Sequence, residues 1–218
     1  MTPGQLGEIL GLPPVPQGTW AEEAVYVSPA ALRLRRQPGE LADRLRGLPG
    51  IADVRVRADA FLEITVAVPG ELVAAIGPAV PPAGGVSPWV DAPRTWGNPG
   101  FVVRYAHVRA VAVQRWAAEL GVGGRFRPEL LTDPLDRAVL RSLAEVDSRR
   151  ASRDPGWAAY TEQLALAYHD AFERAPALPV GDEEPSALHA ARVRQAEAVR
   201  DVLAEGLAAL GETAPDVL

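Results

Sequence analysis

The sequence predicts a small α+β domain followed by an all-α helical bundle. Two short segments before position 70 contain apolar residues and are typical of strands. A Pro-Gly pair precedes the first segment, and another follows the second. After position 97, longer segments carry apolar residues three and four positions apart, as amphipathic helices do. Residues 76–96 are rich in proline and glycine, which favours a linker. We therefore expect an α+β domain at 1–75 and a helical bundle at 97–218.

The composition narrows the possible functions. The chain has 218 residues, a net charge of −6 and 48% apolar residues, as in ordinary globular proteins. It contains neither cysteine nor lysine, which excludes disulfides, thiolate metal sites, a Schiff base and a P-loop lysine. No apolar run is long enough to span a bilayer, so we expect a cytoplasmic protein without membrane contact.

Basic residues are concentrated locally although the net charge is negative. Residues 33–57 hold seven arginines and residues 104–127 hold five. A polyanion responds to such local patches and not only to the overall charge. The distribution therefore leaves a nucleic-acid partner open, and solvated helix faces are the alternative interpretation.

The first domain is predicted to contain two helices and two strands after a short N-terminal helix. That first helix is expected at 3–10, with the rest of the first twenty residues irregular. Ser28-Pro29 is a cap and first-turn pair for a helix over 28–37, and Pro38 begins the next helix. Strands are expected over 51–56 and 60–68, where apolar residues alternate with polar ones.

The central element of the bundle is predicted over residues 98–120. Asn98 is a good cap residue and Pro99 suits the first helical turn, while Gly121 favours an end. Because most of its circumference is apolar, several neighbours should bury it. One apolar face is predicted to hold Phe101, Tyr105, Val108, Ala112 and Trp116. The adjoining faces are covered by Val102, Ala106, Ala110, Val113 and Ala117. The one polar wedge, predicted to be the wet or functional side, holds Arg104, His107, Gln114 and Arg115.

Three further helices are predicted to complete the bundle. Thr132-Asp133-Pro134 should cap a helix that continues to Val146, and Asp154-Pro155 should begin the next. The last helix is expected over 186–210, where Gly211 closes it.

The run NPGFVVRYAHVRA resembles the opening helix of the anticodon-binding domain of arginyl-tRNA synthetases, the DALR-type bundle. Later segments are similar to that family's final helices in the same order: DPGWAAYTEQLA, YHDAFERAP, LHAARV, VLAEGLAALG and APDVL. The resemblance implies a helical bundle that contacts the anticodon loop of a tRNA, through an aromatic at Phe172 and the residue at Leu218. Leu218 departs from the family's methionine.

The first half is similar to the N-terminal additional domain of the same synthetases. The similarity lies in Gly50-Ile51, Val54 and Val56, followed by Phe61 to Ile64. It implies a contact with the tRNA elbow through Phe61 and Glu63. Glu63 departs from the family's amide, and a carboxylate cannot donate a hydrogen bond. The residues expected to contact tRNA are Phe61, Glu63, Arg104, Arg115, Phe172 and Leu218.

The sequence provides no recognisable catalytic constellation. His107, His169 and His189 are far apart along the chain, so no local histidine pair suits a zinc ion or the synthetase ATP signature. No glycine-rich phosphate loop begins a helix. We expect no enzyme activity, no metal and no cofactor.

Two functions remain open on the sequence. The first is a synthetase-like protein without a catalytic domain that binds tRNA, an arginine isoacceptor, and presents it to a partner enzyme as an adaptor or regulator. The alternative is a protein–protein interaction module on a relic synthetase fold, which Glu63, Leu218 and the net charge of −6 favour.

Overall fold

A computed structural model describes residues 1–79 and 85–218. Its elements confirm the predicted fold class, an antiparallel sheet with short helices followed by a helical region from residue 99. The first part contains α1 (Pro3–Leu10), β1 (Val15–Gln17), β2 (Ala24–Ser28), α2 (Ala30–Arg33), α3 (Pro38–Arg46), β3 (Ile51–Val56), β4 (Leu62–Val66) and a 3-10 helix (Pro69–Ala75). The second contains α4 (Pro99–Glu119), a 3-10 helix (Pro128–Leu130), α5 (Pro134–Leu143), α6 (Val146–Arg150), α7 (Trp157–Arg174) and α8 (Ala187–Ala209).

The sheet has the strand order β1-β2-β4-β3, and every neighbouring pair is antiparallel. Tyr26 lies opposite Ile64, and Val54 lies opposite Ile64 on the other side, so these three side chains share the buried face. Glu63 lies between Val27 and Arg55 on the opposite, half-buried face. The period of two therefore separates the core face from the face that carries Glu63.

The prediction of only two strands was wrong, because β1 and β2 are also present. β1 has three residues and includes Pro16, so no alternation over several residues could reveal it. β2 reads AVYVS and has apolar residues on both faces of the sheet, which removes the polar half of the pattern. The helix expected over 28–37 is shorter than predicted, because α2 is a single turn.

Two helix boundaries in the bundle also differ from the prediction. The helix expected to continue to Val146 ends at Leu143, and α6 begins at Val146. Gly156, in the left-handed conformation at φ 59°, is the N-cap residue of α7 in place of Asp154. Asp133 and Ser186 do cap α5 and α8, because their side chains accept from Leu135 N and His189 N.

The face of α4 that carries Phe101, Tyr105 and Trp116 was predicted to be buried, but the structure buries the adjoining apolar faces instead. Trp116 is 39% exposed and Phe101 and Tyr105 are only partly buried, whereas His107, assigned to the polar wedge, is 4% exposed. The buried positions are mostly small residues: Val102, Val103, Ala106, Ala110, Val113 and Ala117. Because α7 and α8 both pack on α4, small side chains allow the backbones to approach, and the larger rings remain at the edge of the contact.

One hydrophobic core joins the sheet region to the bundle. The buried cluster includes Leu45 and Ile64 of the first part together with Leu164 and Leu203 of the second. The 3-10 helix Pro69–Ala75 packs against the 3-10 helix Pro128–Leu130, against α5 and against α8. The predicted boundaries at 75 and 97 stay a prediction, and residues 80–84 of the predicted linker lie outside the described residues.

Candidate nucleic-acid interface

Aromatic side chains from α4, α7 and the preceding segment form a continuous group, called here the aromatic strip: Trp96, Phe101, Tyr105, His169 and Phe172. The rings of Phe101 and Tyr105 stack at 5.5 Å because residues four apart share one helix face. The Trp96 ring lies 4.8 Å from His169 and 5.9 Å from Tyr105. Trp96 is 58% exposed, so the strip presents an indole to solvent above a layer of partly buried rings.

Arg109 connects Phe172 to the other rings of the strip. Its guanidinium carbon lies 4.5 Å from the ring centroid of Tyr105 and 4.4 Å from that of Phe172. Its Nη2 also donates to the Tyr105 hydroxyl at 3.3 Å and pairs with Glu173 at 2.6 Å. A cation that contacts two ring faces is favoured by the ring quadrupoles, and these contacts fix the position of the guanidinium.

The hydrogen bonds of His169 determine its tautomer. Nε2 lies 3.0 Å from the Val102 carbonyl oxygen, which can only accept, so Nε2 carries the proton. Nδ1 then accepts from Arg109 Nη1 at 3.3 Å. Burial lowers the pKa of His169, and the positive charge of Arg109 acts in the same direction. The ring beneath Trp96 is therefore neutral at neutral pH.

A cleft of about 580 Å³ lies beside the strip, at the start of α4. Arg104 projects into it and pairs with Glu212 at 2.7 Å, while Asp91 is 3.7 Å away. Arg94 and Leu218 also line the cleft, and Phe101 belongs both to its lining and to the strip. The cleft thus combines two arginines, one exposed and one paired, with the carboxylates of Asp91 and Glu212 and with apolar side chains.

The cap of α4 holds the segment that carries Trp96. Asn98 is 5% exposed, and its side-chain oxygen accepts from Gly100 N at 3.1 Å and Phe101 N at 3.4 Å. Its amide nitrogen donates to the Val90 and Pro93 carbonyl oxygens at 3.0 and 2.9 Å. One side chain therefore satisfies the orphan donors of the helix and fixes the preceding loop.

The six residues predicted to contact tRNA occupy four places, of which the cleft and the strip adjoin each other. Arg104 and Leu218 share the cleft, and Phe172 lies at the end of the aromatic strip. Arg115 is exposed near the other end of α4, with its guanidinium 5.8 Å from the Trp116 ring.

The remaining two predicted residues lie on the sheet. Phe61 is half-buried directly before β4, and its N–H donates to Asp59 at 3.1 Å. Glu63 is on the open face of the sheet, 3.8 Å from Arg57. The structure therefore brings together Arg104 and Leu218, with Phe172 on the adjoining strip, but not the residues of the sheet.

Sequence reasoning missed two members of this surface. Trp96 lies in a loop, so no periodicity marked it. Arg109 belongs to the motif run, and its spacing of four from Tyr105 could have indicated a stacked pair. Among residues 1–79 and 85–218, no group of three metal-binding side chains is present. No helix of the described chain is long and apolar enough to cross a membrane.

The structure defines a helical bundle arranged around the capped helix α4, and comparison with known proteins identifies its family. The DALR anticodon binding domain model matches residues 103–218, more than half of the chain. The chain belongs to that family.

One relative is the arginine–tRNA ligase of Clavibacter sepedonicus, 43% identical over 129 residues. The match covers 56% of this chain and 23% of the ligase, so the chain spans less than a quarter of that relative. No solved structure matches the chain.

Proposed function

We propose that this chain binds the anticodon arm of a tRNA through the aromatic strip and the adjoining cleft. The observation that carries the proposal is the exposed Trp96 indole, held over His169 and beside Phe101 and Tyr105. Anticodon-loop bases are single-stranded, and proteins bind such bases by stacking them on aromatic rings. Arg94, which is exposed in the neighbouring cleft, supplies positive charge for a phosphate between the bases, whereas Arg104 is already paired with Glu212.

The tRNA is proposed to be an arginine isoacceptor, because the relative is an arginine–tRNA ligase. The family match covers an anticodon-binding domain, and the chain lacks the lysine and the paired histidines that the synthetase ATP site uses. We therefore propose a cytoplasmic, non-catalytic protein that presents tRNA to a partner enzyme as an adaptor or regulator. The purified chain should support no arginine-dependent ATP–pyrophosphate exchange, and observed exchange would overturn this part.

A protein–protein interaction module is the second candidate. Two observations favour it: Glu212 already neutralises Arg104, and Trp116 and Leu120 are exposed at the end of α4. Under this hypothesis the aromatic strip would contact a protein and the affinity for tRNA would be small.

Two exposed tryptophans on opposite ends of α4 allow a matched test. Trp96→Ala should weaken binding of an arginine tRNA and of its anticodon stem-loop about 5- to 100-fold, since one stacked base contributes about 1–3 kcal/mol. Trp116→Ala removes the same ring from outside the strip and should leave the affinity unchanged. Binding is measured by gel shift at several salt concentrations, with a competitor tRNA and a nuclease footprint of the anticodon loop.

The result that contradicts the proposal is also specific. If the wild-type chain shifts no tRNA at low salt, or shifts every RNA alike without protecting the anticodon loop, the protein-interaction function replaces it. Equal losses for the two tryptophan variants would exclude the aromatic strip as the contact.

A further inference from the structure

The turn that ends α2, residues Leu32–Arg36, has an unusual backbone for its sequence and is called here the basic turn. Arg36 N donates to the Ala31 carbonyl at 3.0 Å, and Arg35 N donates to the Leu32 carbonyl at 3.2 Å. This pair of bonds is the Schellman arrangement, in which the residue at the position of Arg35 is left-handed and ordinarily glycine. Arg35 has φ 51°, a conformation that is unfavourable by about 1–2 kcal/mol for a residue with a Cβ.

The basic turn also carries charge that the protein does not neutralise. Arg33, Arg35 and Arg36 are exposed, and in the part of the chain that the structure describes no carboxylate lies within 4.0 Å of them. Arg46, by contrast, pairs with Asp43 and with Asp53.

Other arginines of the same region are neutralised as well. Arg55 pairs with Asp53 at 3.0 Å, and Arg57 pairs with Asp59 at 3.2 Å. The seven arginines between positions 33 and 57 therefore divide into a paired group near β3 and an unpaired group that includes the basic turn. The positive field of this half of the protein comes from the turn and not from the sheet face that holds Glu63.

We propose that the basic turn binds the sugar–phosphate backbone of an RNA, as a second contact beside the anticodon contact proposed above, on which it rests. Three guanidinium groups on consecutive or alternate residues can each form paired hydrogen bonds with phosphate oxygens. Arg35 is strained in the left-handed conformation, and glycine at its position would relieve the strain. An arginine there points to a role of the side chain other than stabilising the turn. An acidic protein segment is the competing partner, and the test separates the two.

The strain gives a test in which stability and binding change independently. Arg35→Gly places the residue that the turn geometry favours, so the variant should melt at the same temperature as the wild type or higher. Its affinity for full-length arginine tRNA should nevertheless fall about two- to fivefold, the effect of one exposed ion pair. The log–log slope of affinity against salt should decrease by about 0.7–0.9 for the lost phosphate contact.

A matched pair of double variants controls for the change in net charge. Arg33→Gln with Arg36→Gln removes two unpaired arginines, and its affinity should fall about four- to 25-fold. Arg127→Gln with Arg194→Gln removes two arginines that Glu129 and Glu197 already neutralise, so its affinity should stay close to that of the wild type. All variants are measured against full-length tRNA and against the anticodon stem-loop alone.

Each outcome decides between the proposals. Weaker binding of full-length tRNA with unchanged binding of the stem-loop supports a second contact at the basic turn. If the wild type binds both RNAs and the turn variants keep its affinity and salt slope, the turn serves another partner and only this inference fails. If the turn variants bind full-length tRNA and the anticodon stem-loop with equally reduced affinity, the turn is not a separate second contact, and this inference also fails. A wild-type chain that binds neither RNA would overturn both the proposed function and this inference.

Discussion

His107 Nδ1 lies 2.9 Å from the carbonyl oxygen of Pro215, and this hydrogen bond attaches the C-terminal segment to the middle of α4. The carbonyl can only accept, so Nδ1 carries the proton and donates. Glu212 of the same segment is held by Arg104 and by the Ser87 hydroxyl. The position of Leu218 in the cleft therefore depends on polar contacts made by two residues of α4.

The burial of the His107 ring predicts that the protein loses stability in mild acid. Burial lowers the pKa of His107 in the folded state, and the hydrogen bond to Pro215 only partly opposes this. The unfolded chain, with a pKa of about 6.5, therefore binds the proton more readily. Stability is complete above about pH 6.5 and decreases as the pH falls, by at most about 1.4 kcal/mol per pH unit for one histidine. Urea unfolding at a series of pH values measures this decrease.

The control is His107→Gln, which retains a donor for Pro215 and does not titrate. It should show a smaller change in unfolding free energy between pH 7.5 and 5.5 than the wild type. Asp136 acts in the opposite direction, because burial raises its pKa to about 6 and its contribution decreases as the pH rises from about 4 to 6. The comparison is therefore between the slopes of the two proteins. Equal slopes would show that His107 does not determine the acid response.

The burial of α4 predicts which substitutions in it are harmful. Trp116→Ala should change the unfolding free energy by roughly 0.5 kcal/mol, because the ring is 39% exposed and lies outside the core. Ala110→Leu should cost about 1–3 kcal/mol or more, since Ala110 is fully buried and the added carbons must displace neighbours. Urea unfolding of both variants is the measurement. If Trp116→Ala loses several kcal/mol of unfolding free energy and Ala110→Leu is tolerated, the buried face of α4 is the one predicted from the sequence.

The contact of α7 with α8 depends on Gly206. A Cβ at this position would overlap the Cγ2 methyl of Thr161, which is fully buried and donates its hydroxyl proton to the Trp157 carbonyl at 2.8 Å. Gly206→Ala should therefore destabilise the protein by about 1–3 kcal/mol despite the higher helix propensity of alanine.

The same contact supplies a compensating variant. Thr161→Ser removes the methyl group and keeps the hydroxyl, so Gly206→Ala should cost less in that background, and a double-mutant cycle measures the difference. If Gly206→Ala stabilises the wild type, the helices are further apart than the contact implies.

The sequence identified most elements of this protein because their signals are local. Caps at Asn98 and Asp133 were predicted, since a capping side chain bonds to backbone groups two or three residues away. Val54 and Val56 of β3 and the apolar residues of β4 alternate with polar residues along the sequence, whereas β2 is apolar on both faces and was missed. A strand of that composition is recognised only through the neighbours with which it pairs.

By itself, the sequence determined the fold class and the order of the helices, which follow from residue spacing along the chain. It also indicated the family of the bundle, through the resemblance of its motifs. Only the tertiary structure decided which face of α4 is buried, because α7 and α8 together select the face whose small residues allow close approach. It alone also placed Trp96 on His169 and Arg109 between Tyr105 and Phe172. The contacts of Trp96 with His169 and of Arg109 with Phe172 join residues that are distant in sequence, and no periodicity can specify which distant side chains meet.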